Sequence, residues 1–149
     1  MVETTGSSKP GEILELEIAC AECGECAAKI ALVPPGKKHR KAGSTARGDV
    51  GVYDGIGRGD GGSYIVESIT GKCVHTIPAE YVEPMRQALE QKDWARLYKA
   101  DPELVPSWCR MCAAHYCRKH TVTLPFFDEG FYDYTMGWCP KNHPRKVDD

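Results

Sequence analysis

Residues Ser107 to His120 read SWCRMCAAHYCRKH, three cysteines and two histidines within fourteen positions. Two residues between ligands let a tight turn aim both side chains at one ion, and a zinc ion takes four such ligands. The stretch carries two pairs of this kind, Cys109/Cys112 (C-x2-C) and Cys117/His120 (C-x2-H). Working outward, Cys20/Cys23 (C-x2-C) and Cys139/His143 (C-x3-H) complete a set of four pairs. Eight ligands suffice for two closed sites, so two zinc ions per chain are expected.

Other uses of cysteine fit less well. A thioredoxin-type CxxC opens a long helix, whereas CAEC (Cys20 to Cys23) leads into the strand-like AAKIALV. An iron–sulfur run of C-x2-C-x2-C-x3-C needs a fourth cysteine where Ile30 stands. Disulfides need an oxidising compartment and leave the histidines unexplained. The opening MVETTGSSKPGE is polar, with neither a basic start nor an apolar run of signal-peptide length. Nor does any stretch approach the ~18 apolar residues of a membrane span. A cytosolic location, with reduced thiols, is therefore expected.

Length and composition suit one small domain. The chain has 149 residues, a net charge of -2, 15 glycines and 10 prolines. Those numbers mark no strong electrostatic field and predict short elements, many turns and a modest core that gains from a metal staple. The expected division is a disordered tail over residues 1–11 and a single zinc-stapled domain over 12–149. Within it, 37–63 reads as a flexible glycine-rich loop containing a short VGVY strand, and 107–149 as the zinc-binding module.

Alternation of Ile13, Leu14, Leu16 and Ile18 among glutamates predicts a first strand with one buried face. AAKIALV predicts a second, stopped by Pro34-Pro35-Gly36. SYIVESITGKCVHTI (Ser63 to Ile77) predicts a hairpin turning at TGK. Pro84 in a first-turn position, with Met85, Ala88 and Leu89 at helical spacing, predicts one short helix. Asp93 caps a second helix, which carries Trp94, Leu97 and Tyr98 and closes at Asp101-Pro102 and Pro106. The fold class is thus α+β: a small sheet, two short helices and a C-terminal metal-binding module closed by an N-terminal CxxC knuckle.

The succession C-x2-C-x4-C-x2-H from Cys109 to His120 resembles the zinc fingers of stress-associated ubiquitin-pathway proteins, and more broadly treble-clef and cross-brace fingers. In such fingers alternating pairs share an ion. The resemblance implies a treble-clef-like module with one site of Cys20, Cys23, Cys117 and His120 and another of Cys109, Cys112, Cys139 and His143. The block YCRKH, FFDEGFYDY and GWCPKNH also resembles a set of uncharacterised bacterial proteins that end in a CPxGH-like knuckle. Asn142 occupies that knuckle's glycine position, and asparagine tolerates the left-handed backbone a tight turn requires.

Further candidates remain. Cys26 could replace Cys23, although Cys20/Cys23 follow directly on a strand. Cys73 and His75 point to one face of a strand and could chelate, but read more simply as a half-buried cysteine and an exposed histidine. His39 and His115 read as solvated. GRGDGG (Gly57 to Gly62) matches GxGxxG without the helix a dinucleotide site needs after it, and reads as flexible loop. LPFFDEGFYDYTMGW (Leu124 to Trp138) is the most aromatic segment. Its plain role is to pack a core around the metals; its alternative is a partner-binding face edged by Asp128, Glu129 and Asp133.

Four protein ligands per site leave no open position for substrate, and HExxH and the deaminase H-x-E with PCxxC are both absent. The expected function is a non-catalytic interaction or adaptor module with another protein as partner, and no membrane. Nucleic-acid binding through GKKHRK (Gly36 to Lys41), Arg47, Lys141, Arg145 and Lys146 is the second reading. A zinc hydrolase, with three ligands and Asp128 or Glu129 as base, is the third.

Overall fold

The computed structural model describes residues 11–37 and 59–149. Most of the tail, most of the glycine-rich loop, the VGVY strand, His39 and Arg47 lie outside the described residues. Two compact units divide the chain. One takes the described parts of Met1–Leu16, Ile30–Val66 and Cys73–Asp93; the other takes Glu17–Lys29, Glu67–Lys72 and Trp94–Asp149. The described residues are mixed and sheet-rich, with two α-helices and three sheets among them.

Strands β1 (Leu14–Ala19), β2 (Cys26–Val33), β3 (Ser63–Ser68) and β4 (Gly71–Thr76) form a sheet in that order. In β1, exposed Glu15 and Glu17 alternate with more buried Leu14 and Leu16, the pattern of a strand with one covered face. The end of β2 is buried on both faces, which suits its near-continuous apolar run. A two-residue connection, Ile69-Thr70, joins β3 to β4, with Gly71 in the left-handed region at φ 93°. The turn therefore falls slightly ahead of the TGK expected from sequence.

In the first unit Ala31, Val33 and Ile65 form a buried cluster, with Ile13 and Val74 packed against it. At its described end the glycine-rich stretch packs against the first unit's backbone. Gly61, Gly62 and Ser63 are buried. A Cβ on Gly62 would collide with the Val33 carbonyl oxygen, and one on Gly61 with that of Ile77. Close backbone approach is what these two glycines provide.

Helix α1 (Val82–Glu90) buries Arg86, Ala88 and Leu89, and the Arg86 guanidinium donates to the Glu12 carbonyl at 2.9 Å. It ends where Lys92 takes φ 56°. There Lys92 N–H donates to Leu89 O and Asp93 N–H to Ala88 O, satisfying carbonyls the helix leaves open.

In the second unit, helix α2 (Trp94–Ala100) buries Leu97. A 3-10 turn over Pro102–Leu104 follows, opened by the Asp101 carboxylate accepting from Glu103 N–H at 3.0 Å. Strands β5 (Trp108–Cys109) and β6 (Ala114–His115) make a minimal antiparallel pair, and a 3-10 turn spans Arg118–His120. The last sheet runs β7 (Val122–Asp128), β8 (Phe131–Trp138), β9 (Pro144–Asp148), both pairings antiparallel. Pro125 is tolerated because β7 is an edge strand, where a missing N–H costs no ladder bond. Strand β9 pairs only with Thr135 to Trp138, so among the described residues the distal part of the β7–β8 hairpin has no third strand. Among the described residues, no helix is long and apolar enough to cross a membrane.

Candidate metal centres

The first centre is assembled around the turn between β1 and β2. Cys20 N–H donates to Glu25 O at 2.6 Å and Gly24 N–H to Cys20 O at 2.9 Å, closing the knuckle with Gly24 at φ 78°. Ala21 N–H donates to His115 O, which joins this knuckle to β6. The 3-10 turn after Cys117 brings His120 back, its N–H donating to Cys117 O. Cys23 Sγ lies 3.7 Å from Cys117 Sγ; His120 Nδ1 lies 3.3 Å from Cys117 Sγ and 3.9 Å from Cys20 Sγ.

The second centre uses the β5–β6 hairpin and the knuckle between β8 and β9. Cys112 Sγ lies 3.8 Å from Cys139 Sγ, and His143 Nδ1 lies 3.3 Å from both and 3.6 Å from Cys109 Sγ. Asn142, at φ 69°, donates its N–H to Cys139 O at 2.8 Å and lets the chain double back to His143. Ala113, at φ 53°, bends the chain between Cys112 and β6.

Within each group the four candidate ligand atoms all lie within 4.8 Å of one another. A tetrahedron with metal–sulfur bonds of about 2.3 Å has sulfur–sulfur edges of about 3.8 Å. The observed 3.7 and 3.8 Å match that edge, and are far longer than a disulfide bond of about 2.04 Å. The two Cys3His groups could therefore each hold a metal ion, and the donor set fits one that accepts thiolate and imidazole together.

At Cys20 and Cys139, backbone donors favour the thiolate form a metal requires. Burial pushes the Cys20 thiol up, but hydrogen bonds from the Cys117, Cys23 and Glu22 backbone outweigh it and bring the thiol down to about 6. Burial likewise opposes ionisation of Cys139, while the His143 and Lys141 N–H groups, 3.4 and 3.3 Å from its sulfur, bring it to about 7. Burial raises the Cys109 thiol instead. Cys20, Cys109, Cys117 and Cys139 pack with Ala27 and Tyr116 into a buried cluster, so ligands and apolar core coincide.

The remaining candidates fall elsewhere. Cys26 is exposed at the start of β2, its thiol donating to Ala28 O at 3.6 Å, and belongs to neither group. Cys73 and His75 lie partly buried on β4 and join no group of three ligands among the described residues. Asp128 and Glu129 are exposed at the β7–β8 turn.

His115 corrects the solvated reading. It is buried, its Nδ1 2.8 Å from Ser107 Oγ and its ring edge-on to Trp94 at 4.7 Å. Burial, reinforced by the nearby Arg145 cation, lowers it to about 4, so it is neutral at pH 7.

Arg145 was placed by sequence in a basic patch, yet its guanidinium is buried and donates twice to Pro106 O, at 3.0 and 3.3 Å. Its remaining nitrogen has no hydrogen-bond partner among the described residues. Burial lowers its pKa, while the sulfurs of Cys109, Cys139 and Cys112 act in the opposite direction. One signal could have found it: Arg145 alternates with Val147 along β9, and both are buried.

The aromatic segment differs most from the core-packing expectation. All of β7 is exposed, including Phe127 (64%), as are Phe131 (77%) and Tyr132 on β8. Phe126 stacks on Tyr134 at 5.0 Å, and Phe127 meets Tyr132 edge-on at 6.1 Å. Successive residues point to opposite faces, so apolar surface covers both sides of this ribbon.

No curated protein and no solved structure matches the chain. The DUF8328 family, described as a domain of unknown function, matches residues 12–149. With the match covering nearly the whole chain, the protein belongs to the DUF8328 family.

Proposed function

We propose that this protein is a non-catalytic interaction module whose fold is stapled by two structural zinc ions, in a treble-clef-like, cross-brace arrangement. The observation that carries the reading is the pair of four-ligand groups, each with three cysteines, one histidine and tetrahedral edge lengths. Sulfur-rich tetrahedral donors favour zinc, and four protein ligands close the coordination sphere. In chain order the first pair groups with the third and the second with the fourth, the crossed order of cross-brace fingers. With the metals holding the base, the exposed β7–β8 hairpin is the surface the module presents to a protein partner.

Nucleic-acid binding loses one of its cations, because Arg145 is bonded to Pro106 O inside the protein. Hydrolysis by Asp128 or Glu129 would need a centre to release a ligand.

Elemental analysis of protein purified without added metal tests the reading. Two zinc ions per chain and loss of fold on chelation are expected. A folded protein with no metal would overturn the staple, and a single ion would overturn the two-centre arrangement.

A further inference from the structure

The exposed hairpin is not uniformly greasy. Its sequence runs Phe126, Phe127, Asp128, Glu129, Gly130, Phe131, Tyr132, Asp133, Tyr134, with carboxylates set between aromatic pairs. Asp128, Glu129 and Asp133 are exposed, and none is ion-paired among the described residues. The register slips between Phe126 and Phe127, leaving Asp133 as the extra residue at a bulge opposite them.

We infer that this aromatic, acid-edged hairpin docks a basic, apolar segment of a partner protein, with Arg or Lys side chains seated between Phe127, Phe131 and Tyr132. The inference rests on the interaction-module reading and supplies its partner's chemistry. Charge complementarity selects the occupant. Three uncompensated carboxylates repel the phosphates of nucleic acid and the headgroups of an anionic membrane. A symmetric second copy would set the same three carboxylates against one another. A cationic segment relieves that repulsion, and its aliphatic stems and neighbours cover the rings. Within the chain the same ribbon already takes one cation this way: Lys146 Nζ sits 5.1 Å over the Tyr134 ring.

Fluorescence anisotropy with three labelled peptides, on protein whose zinc content has been measured, tests the inference. The peptides alternate Arg with Leu, Glu with Leu, and Arg with Ser. The Arg–Leu peptide is expected to bind, more weakly as salt rises, and the other two to bind at least about tenfold less well. Phe127→Ser with Phe131→Ser, and separately Asp128→Asn with Glu129→Gln and Asp133→Asn, are each expected to weaken it by about tenfold or more.

Equal binding of the Glu–Leu peptide, or indifference to both sets of variants, would overturn the inference. So would hairpin-dependent binding to phosphatidylcholine vesicles containing phosphatidylserine, to a single-stranded RNA oligonucleotide, or to a second copy by sedimentation. Zinc-loaded, folded protein that binds no peptide overturns the partner chemistry alone; folded protein without zinc overturns the module reading itself.

Discussion

At the scale of single residues, Arg145 carries the sharpest consequence. Under the proposed reading, three thiolates and one divalent ion at the second centre would sum to a single negative charge, which a buried guanidinium can offset. Without that anion Arg145 would be a desolvated cation with one nitrogen unbonded. Arg145→Met should weaken metal retention at Cys109, Cys112, Cys139 and His143 by about 10–100-fold and spare the first centre. Competition against a chromophoric chelator measures both; equal loss at the two centres would show that Arg145 acts only through general stability.

His115 offers a pH test. Its folded value lies near 4, below its ordinary 6.5, so between those values the unfolded chain binds more protons than the native one. Its contribution is complete above pH 6.5 and is lost as pH falls through about 4. The stability difference between wild type and His115→Phe should therefore shrink, in the wild type's disfavour, by about 1–3 kcal/mol from pH 7 to pH 4.5. Denaturant titration at the two pH values with zinc present reads it; a pH-independent difference would mean His115 is not held neutral. This burial was illegible in sequence, since a histidine between two ligand pairs looks like part of a solvated turn.

At the scale of elements, short-range patterns were legible and the placement of aromatics was not. The strand–knuckle–strand of the N-terminal part, the β3–β4 hairpin and both helices follow from alternation, proline position and helical spacing over a few residues. Apolar density usually marks a core, yet Phe126 and Phe127 are adjacent on a strand and cannot both face one core. That lack of alternation was the signal for a two-sided ribbon. Phe127→Ser and Phe131→Ser should consequently each change stability by no more than about 0.5 kcal/mol, against about 3–5 kcal/mol for a buried phenylalanine. Chemical denaturation of the zinc-loaded variants distinguishes the two.

The Cys139–His143 knuckle gives a backbone test. Asn142 at φ 69° should accept glycine at little cost, whereas Asn142→Val should destabilise the turn by about 1–2 kcal/mol or more and lower second-centre metal affinity. Indifference to valine would mean the turn relaxes to another conformation.

For the molecule as a whole, the candidate metal ligands and the buried core of the second unit share the same cysteines. Apparent zinc-binding energies of about 10–16 kcal/mol at neutral pH equal or exceed the net stability of an ordinary domain, about 5–15 kcal/mol. The four pairs themselves were legible because each lies within five consecutive residues. Which pairs come together was not written in their spacing, since no local rule connects Cys20 to His120 across 100 positions. The crossed grouping was only what the resemblance to cross-brace fingers implied. Here the backbone makes the connection, through Ala21 N–H on His115 O and the 3-10 turn after Cys117.

Cadmium NMR of the cadmium-substituted protein tests that crossed pairing most directly. Wild type should show two metal resonances. Cys20→Ser and His120→Ala should each abolish or shift the same one, and Cys109→Ser and Cys139→Ser the other. If Cys109→Ser and His120→Ala instead removed a single common resonance, the Cys109–His120 stretch would hold one ion by itself and the account would be contradicted.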